Sequence, residues 1–202
     1  MLNTDQLKEL ISWLTPLTGL VDFYIEESNK LEKREVTFII SDMDDTLISR
    51  EQLAIQEPLL KVNRGQEGNK VVINHFGIPY IIDKFYANQN PPQDIADKMR
   101  ESTDCFILTA WVPEYAMMKY RAAWLEEFPI RIVYDGQDKI LRTLQYVLFE
   151  LKYIPSEIIV YEDRPQYFIE YKDLIEWVLW TKLTIMYVEM DGNDGYKKIE
   201  EI

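Results

Sequence analysis

Val36-Thr37-Phe38-Ile39-Ile40-Ser41-Asp42-Met43-Asp44-Asp45-Thr46-Leu47 opens on a β-branched, apolar run and closes on an acidic turn. An apolar run without alternation is what a strand covered on both faces looks like, so residues 36–41 are predicted as a strand of a parallel, doubly covered sheet. The form recurs downstream: Cys105–Leu108 ending in Thr109, Ile130–Tyr134, Ile158–Tyr161 ending in Glu162-Asp163-Arg164-Pro165, and Thr184–Met190.

Helical patterns separate these runs. One extends from Pro113, a favoured first-turn residue, to Glu127. Others cover 137–152, with Leu141, Leu144, Leu148 and Leu151 on one stripe, and 165–179. Strands alternating with helices of this length predict an α/β fold with a doubly wound parallel sheet, Rossmann-like in layout. The whole chain, 1–202, is expected to form one domain. Residues 1–34 are expected as an N-terminal helical extension, with helices near 4–14 and 17–32. After the fifth strand a turn and a short tail are expected.

Between Leu47 and Asp104 the pattern fails over too long a stretch for a tight connection. Residues 50–92 are expected to form a small cap or flap beside the carboxyl ends of the strands, followed by a helix at 92–101. This insertion holds His75, the only histidine, with Tyr80, Phe85, Tyr86 and the basic residues Arg50, Lys61, Arg64, Lys70 and Lys84. They could meet an anionic substrate or serve as packing and ordinary surface charge.

The net charge of −13 disfavours extended binding to a polyphosphate backbone but suits a divalent cation, which needs clustered carboxylates. One cysteine, Cys105, excludes an internal disulfide and fits a reducing compartment; it reads as buried filler. The first residues lack a basic segment followed by an apolar one, and no apolar run is long enough to span a bilayer. A soluble, cytoplasmic protein without membrane partners is expected. No glycine-rich nucleotide-cofactor loop is visible.

In such sheets ligands sit at the carboxyl ends of the strands. The polar residues that fall there are Asp42, Asp44, Thr109, Glu162 and Asp163. Transfer of a phosphoryl group to a carboxylate needs a cation to offset charge repulsion, donors on the phosphate oxygens, and an acid for the leaving oxygen. Two aspartates two residues apart can divide attack and proton transfer.

Ile39-Ile40-Ser41-Asp42-Met43-Asp44-Asp45-Thr46-Leu47 resembles the first motif of the haloacid-dehalogenase superfamily of phosphohydrolases, a strand followed by D-x-D-x-T. The resemblance spans about residues 36–190. It implies that Asp42 is the nucleophile that becomes an aspartyl phosphate, that Asp44 is the general acid/base and gives its carbonyl to Mg2+, and that Thr46 braces the turn. Asp45 stands where relatives commonly have glycine. By the same resemblance Thr109 donates to phosphate and Lys139 stabilises nucleophile and phosphate, with Arg142 one turn on as substitute. Asp163 is implied as the direct Mg2+ ligand, and Glu162 as a ligand or its outer partner.

Glu162-Asp163-Arg164-Pro165 and the aromatic-rich helix after it are also similar to the phosphatase half of polynucleotide kinase-phosphatases and to phosphatase-like domains of RNA-repair proteins. That points to Arg164 as a substrate contact, the other reading being an internal ion pair with Asp45 or Glu162. Relatives that process nucleic-acid ends often carry Gly-Arg after the second-motif threonine, whereas this chain has Ala110-Trp111; Trp111 is the aromatic placed to meet substrate. The resulting expectation is a Mg2+-dependent hydrolase of a small phosphorylated molecule. The alternatives are a nucleotide or 3′-phosphate nucleic-acid-end phosphatase, and a non-catalytic binding or regulatory domain on the same fold.

Overall fold

The structure is a computed structural model that describes residues 18–48, 70–75, 78–83, 93–190 and 195–202. The helix expected near 4–14 and most of the 50–92 insertion lie outside the described residues.

Helix α1 (Thr18–Ser28) leads into strand β1 (Lys33–Ser41), and a two-stranded antiparallel hairpin, β2 (Lys70–His75) and β3 (Ile78–Asp83), falls within the insertion. Then come α2 (Gln93–Glu101), β4 (Asp104–Ala110), α3 (Pro113–Ala122), β5 (Ile130–Val133), α4 (Asp138–Gln145), a π-helical turn (Tyr146–Leu151) and β6 (Ile154–Glu162). Helices α5 (Gln166–Glu170) and α6 (Lys172–Leu179), then β7 (Lys182–Met190) and β8 (Tyr196–Glu201), complete the order.

The fold is α/β, a six-stranded, mostly parallel sheet flanked by helices, with strand order β5-β4-β1-β6-β7-β8. β1 is central: Phe38–Ser41 pair with Asp104–Ile107 on one side and Phe38–Ser41 with Ile158–Tyr161 on the other. Because successive strand residues point to opposite faces, Phe38 and Ile40 enter one core with Phe106, Leu108 and Val160, while Ile39 enters the other with Ile107 and Tyr161. Helices α1, α4 and α6 cover the first face and α2 and α3 the second, which explains why β1 reads as continuously apolar.

Several expectations need correction. The sheet is not parallel throughout, since the expected tail folds as β8, antiparallel to β7. The helix expected over 113–127 stops at Ala122, after which Trp124 adopts φ 57°. The stripe over 137–152 is α-helical only to Gln145 and continues as a π turn, closed by Lys152 N–H on the Val147 carbonyl and by Lys152 at φ 59°. The helix expected over 165–179 breaks at Tyr171 into α5 and α6. Trp124 and Trp180 are exposed, both in left-handed positions past helix ends, whereas Trp177 packs against the core. Cys105 is half-buried rather than fully buried, and burial pushes its thiol up to about 11. Among the described residues no helix is long and apolar enough to cross a membrane.

Candidate active site

The carboxyl ends of β1 and β6 meet because the parallel pairing runs one residue past β1: Asp42 N–H donates to the Tyr161 carbonyl at 2.9 Å. That bond sets the Asp42 side chain beside Glu162 and Asp163. One carboxylate oxygen from each of these three residues lies within 4.8 Å of the others. Asp42 and Glu162 are buried, and the Asp163 side chain is 17% exposed.

After Asp42 the chain turns tightly. Leu47 and Ile48 N–H both donate to the Met43 carbonyl, Asp45 N–H donates to Ile48, and Asp45 adopts φ 56°. The left-handed conformation favours glycine and tolerates aspartate, which accounts for an acidic residue here. The Tyr196 hydroxyl from β8 donates to the Thr46 carbonyl at 2.8 Å. Thr46 is fully buried, and its own hydroxyl has no hydrogen-bond partner among the described residues.

Lys139, in the first turn of α4, reaches over the end of the sheet. Its Nζ donates to Asp42 Oδ1 at 2.7 Å and to Glu162 Oε2 at 2.6 Å. The backbone of this turn is fixed by the Thr143 hydroxyl on the Lys139 carbonyl. Burial by itself would lower the Lys139 pKa, but the charges of Asp42 and Glu162 outweigh it and raise it above the ordinary lysine range. Arg142, the substitute candidate, points elsewhere and pairs with Glu150.

Two of the three carboxylates, Asp42 and Glu162, share this one buried lysine, while Asp163 meets only the exposed Arg164. Burial raises Asp42 above the usual carboxylate range, with Lys139 pulling against it and Asp44 adding repulsion. Burial and the Asp42 charge raise Glu162. Burial, then repulsion from Asp42 and Asp45, pushes Asp163 up to about 6. Such a cluster carries more negative charge than its lysine offsets. Oxygen ligands at this density suit a hard divalent cation.

Asp44 lies outside the three-carboxylate cluster. Its Oδ1 accepts from Lys119 Nζ of α3, a lysine only 2% exposed. The same Nζ sits 4.6 Å from the Tyr115 ring centroid and 5.4 Å from that of Trp111. Lys119 was not anticipated from sequence, although its spacing carried a signal: Ala116, Lys119, Tyr120 and Ala123 form one buried stripe, and a lysine there needs a partner.

Thr109, near the end of β4, is buried one position before Ala110. Trp111 follows, 41% exposed. Arg164 is largely exposed and pairs with its neighbour, Nε to Asp163 Oδ2 at 3.5 Å, while Glu162 keeps Lys139. The fold thus brings together Asp42, Lys139, Glu162 and Asp163 as one cluster. Asp44 stands beside it with Lys119, and Thr109 and Trp111 stand at the end of the strand next to β1. Comparison with family models, curated proteins and solved structures gave no match.

Proposed function

We propose that the protein is a Mg2+-dependent phosphomonoester hydrolase of the haloacid-dehalogenase type, acting through an aspartyl phosphate on Asp42. The observation that carries this reading is the Asp42–Lys139–Glu162 bridge, set within the three-carboxylate cluster at the carboxyl ends of the central strands.

Lys139 occupies one oxygen of Asp42, Oδ1, and leaves the other for attack on phosphorus. Because Lys139 also holds Glu162, the carboxylate left for a cation beside Asp42 is that of Asp163, with Glu162 as the outer partner that anchors the lysine. Asp163 is also the most accessible of the three. Bound there with the Asp44 carbonyl, Mg2+ would neutralise the repulsion between Asp42 and a phosphate dianion. Thr109 is the hydroxyl donor the reading assigns to the phosphate oxygens.

In the first step the free Asp42 oxygen bonds to phosphorus, the bond from phosphorus to the leaving oxygen breaks, and Asp44 gives that oxygen a proton. In the second, Asp44 takes a proton from water, the water oxygen bonds to phosphorus, and the bond to Asp42 breaks, releasing phosphate. The Asp44 carboxylate stands apart from the three-carboxylate cluster, which suits a side chain that moves protons while the residue's carbonyl faces the cation.

The test is phosphate release from p-nitrophenyl phosphate with Mg2+ or EDTA, for wild type and Asp42→Asn. Release that needs Mg2+ and disappears in the variant is expected. Equal release from both proteins would sink the mechanism. Mg2+ binding without release on a broad phosphate panel would favour a binding domain.

A further inference from the structure

Resting on that reading, we infer that the leaving group carries a planar ring, taken up on Trp111, so that the substrates are aryl or nucleoside phosphomonoesters. Asp44 protonates the leaving oxygen, so the body of the leaving group must emerge on the Asp44 side of the centre. On that side the contacts run from Asp44 Oδ1 to Lys119 Nζ and on to the Trp111 ring, 5.4 Å from the ammonium. Lys119 and the Tyr115 ring, 5.6 Å from Trp111 and tilted 44° to it, are buried and hold the indole in place.

Trp111 itself remains 41% exposed. It sits one residue beyond Ala110, the last residue of β4, and its N–H donates to the Val133 carbonyl at 2.9 Å. In the β4–β5 register Ala110 pairs with Val133, so the next residue on each strand is aromatic: Trp111 on one, and Tyr134, 69% exposed, on the other. The exposed Trp111 indole, held beside the lysine that binds the acid/base residue, makes a stacking surface where the leaving group comes out. A flat ring gains from an indole face in a way an alkyl chain does not.

The experiment compares kcat/KM for wild type, Trp111→Ala and Trp111→Phe on adenosine 5′-monophosphate, p-nitrophenyl phosphate and glycerol 3-phosphate. Trp111→Ala is expected to lose about tenfold on the two ring substrates, mainly through KM, with a clearly smaller loss on glycerol 3-phosphate. Trp111→Phe is expected to regain most of it. A loss on the nucleotide alone would put the ring a ribose away from the leaving oxygen, and a loss on the aryl ester alone would put it directly on that oxygen. Equal losses on all three substrates, or none, would overturn the inference. If no ester is turned over by wild type, the phosphatase reading fails by itself, and calorimetric titration with adenosine then decides the stacking surface. Weaker binding by Trp111→Ala than by wild type supports it, and equal or undetectable binding in both overturns it.

Discussion

Replacing Lys139 by methionine keeps the apolar stem and removes the charge, leaving Asp42 and Glu162 buried against each other. Each loses a contact of 2.6–2.7 Å to a cation. Breaking a buried pair by deleting one partner costs about 3–5 kcal/mol, because the remaining charge has no compensation. A ceiling follows from proton uptake. Neutralising one ordinary carboxylate costs about 4 kcal/mol at pH 7 and about 1.4 kcal/mol at pH 5, so the loss cannot grow far beyond that and must shrink in acid. Removing a carboxylate instead relieves the excess: Asp42→Asn and Glu162→Gln each leave Lys139 with one anionic partner and should fall within about 1 kcal/mol of wild type. Urea unfolding in EDTA at pH 7 and pH 5 measures all three. Lys139→Met should be the least stable by about 3–5 kcal/mol at pH 7 and by far less at pH 5, and pairing it with Glu162→Gln should restore part of the loss. A Lys139→Met protein within about 1 kcal/mol of wild type, or an Asp42→Asn protein as unstable as it, would refute the charge count behind the site.

The metal-free protein should gain stability as pH falls towards 4. Asp163, raised to about 6, contributes stability that is fully present below its unfolded value near 4 and is lost as pH rises through about 6; the raised Asp42 and Glu162 act in the same direction. A melting-temperature profile in EDTA should therefore fall from pH 4.5 to 7.5, flatten in Asp163→Asn, and rise again near neutrality when Mg2+ is added; a flat wild-type profile contradicts this. Lys119→Met should lower kcat about 10- to 100-fold through misplaced proton transfer by Asp44, with Mg2+ affinity unchanged, and Lys119→Arg should recover part of it. A shift in Mg2+ affinity as large as the loss in kcat would show instead that Lys119 supports the carboxylate cluster.

What could be read from the chain alone follows from locality. Asp42, Thr109, Glu162 and Asp163 were legible because each follows its own apolar strand, and parallel sheets put such residues at one edge. Lys139 was reached only through the resemblance, which places a lysine near the start of the helix after the third strand; by itself a lysine there is ordinary. Lys119 was not legible, because its meaning depends on Asp44, 75 residues away, and a lysine on a helix is ordinary until its face is known to be buried. β8 escaped because its two apolar residues, Tyr196 and Ile199, lie three apart and do not alternate, the register shifting between them, and because it pairs on one side alone. The π turn was hidden by a leucine stripe that suits either continuation, since one widened turn re-phases the helix without changing its composition.

The central position of β1 also has a consequence for synthesis. Its partner β6 and the acidic residues that follow β6 are made about 120 residues after Asp42. At about 5–20 residues per second the ribosome needs roughly 6–24 s to supply them. For about the first half of that interval β1 has neither sheet partner, and once β4 is made its β6 side still stays an open, apolar strand edge on a nascent chain. The strand that carries Asp42 at its end thus needs shielding, as by a chaperone, while the second half of the protein is still being translated.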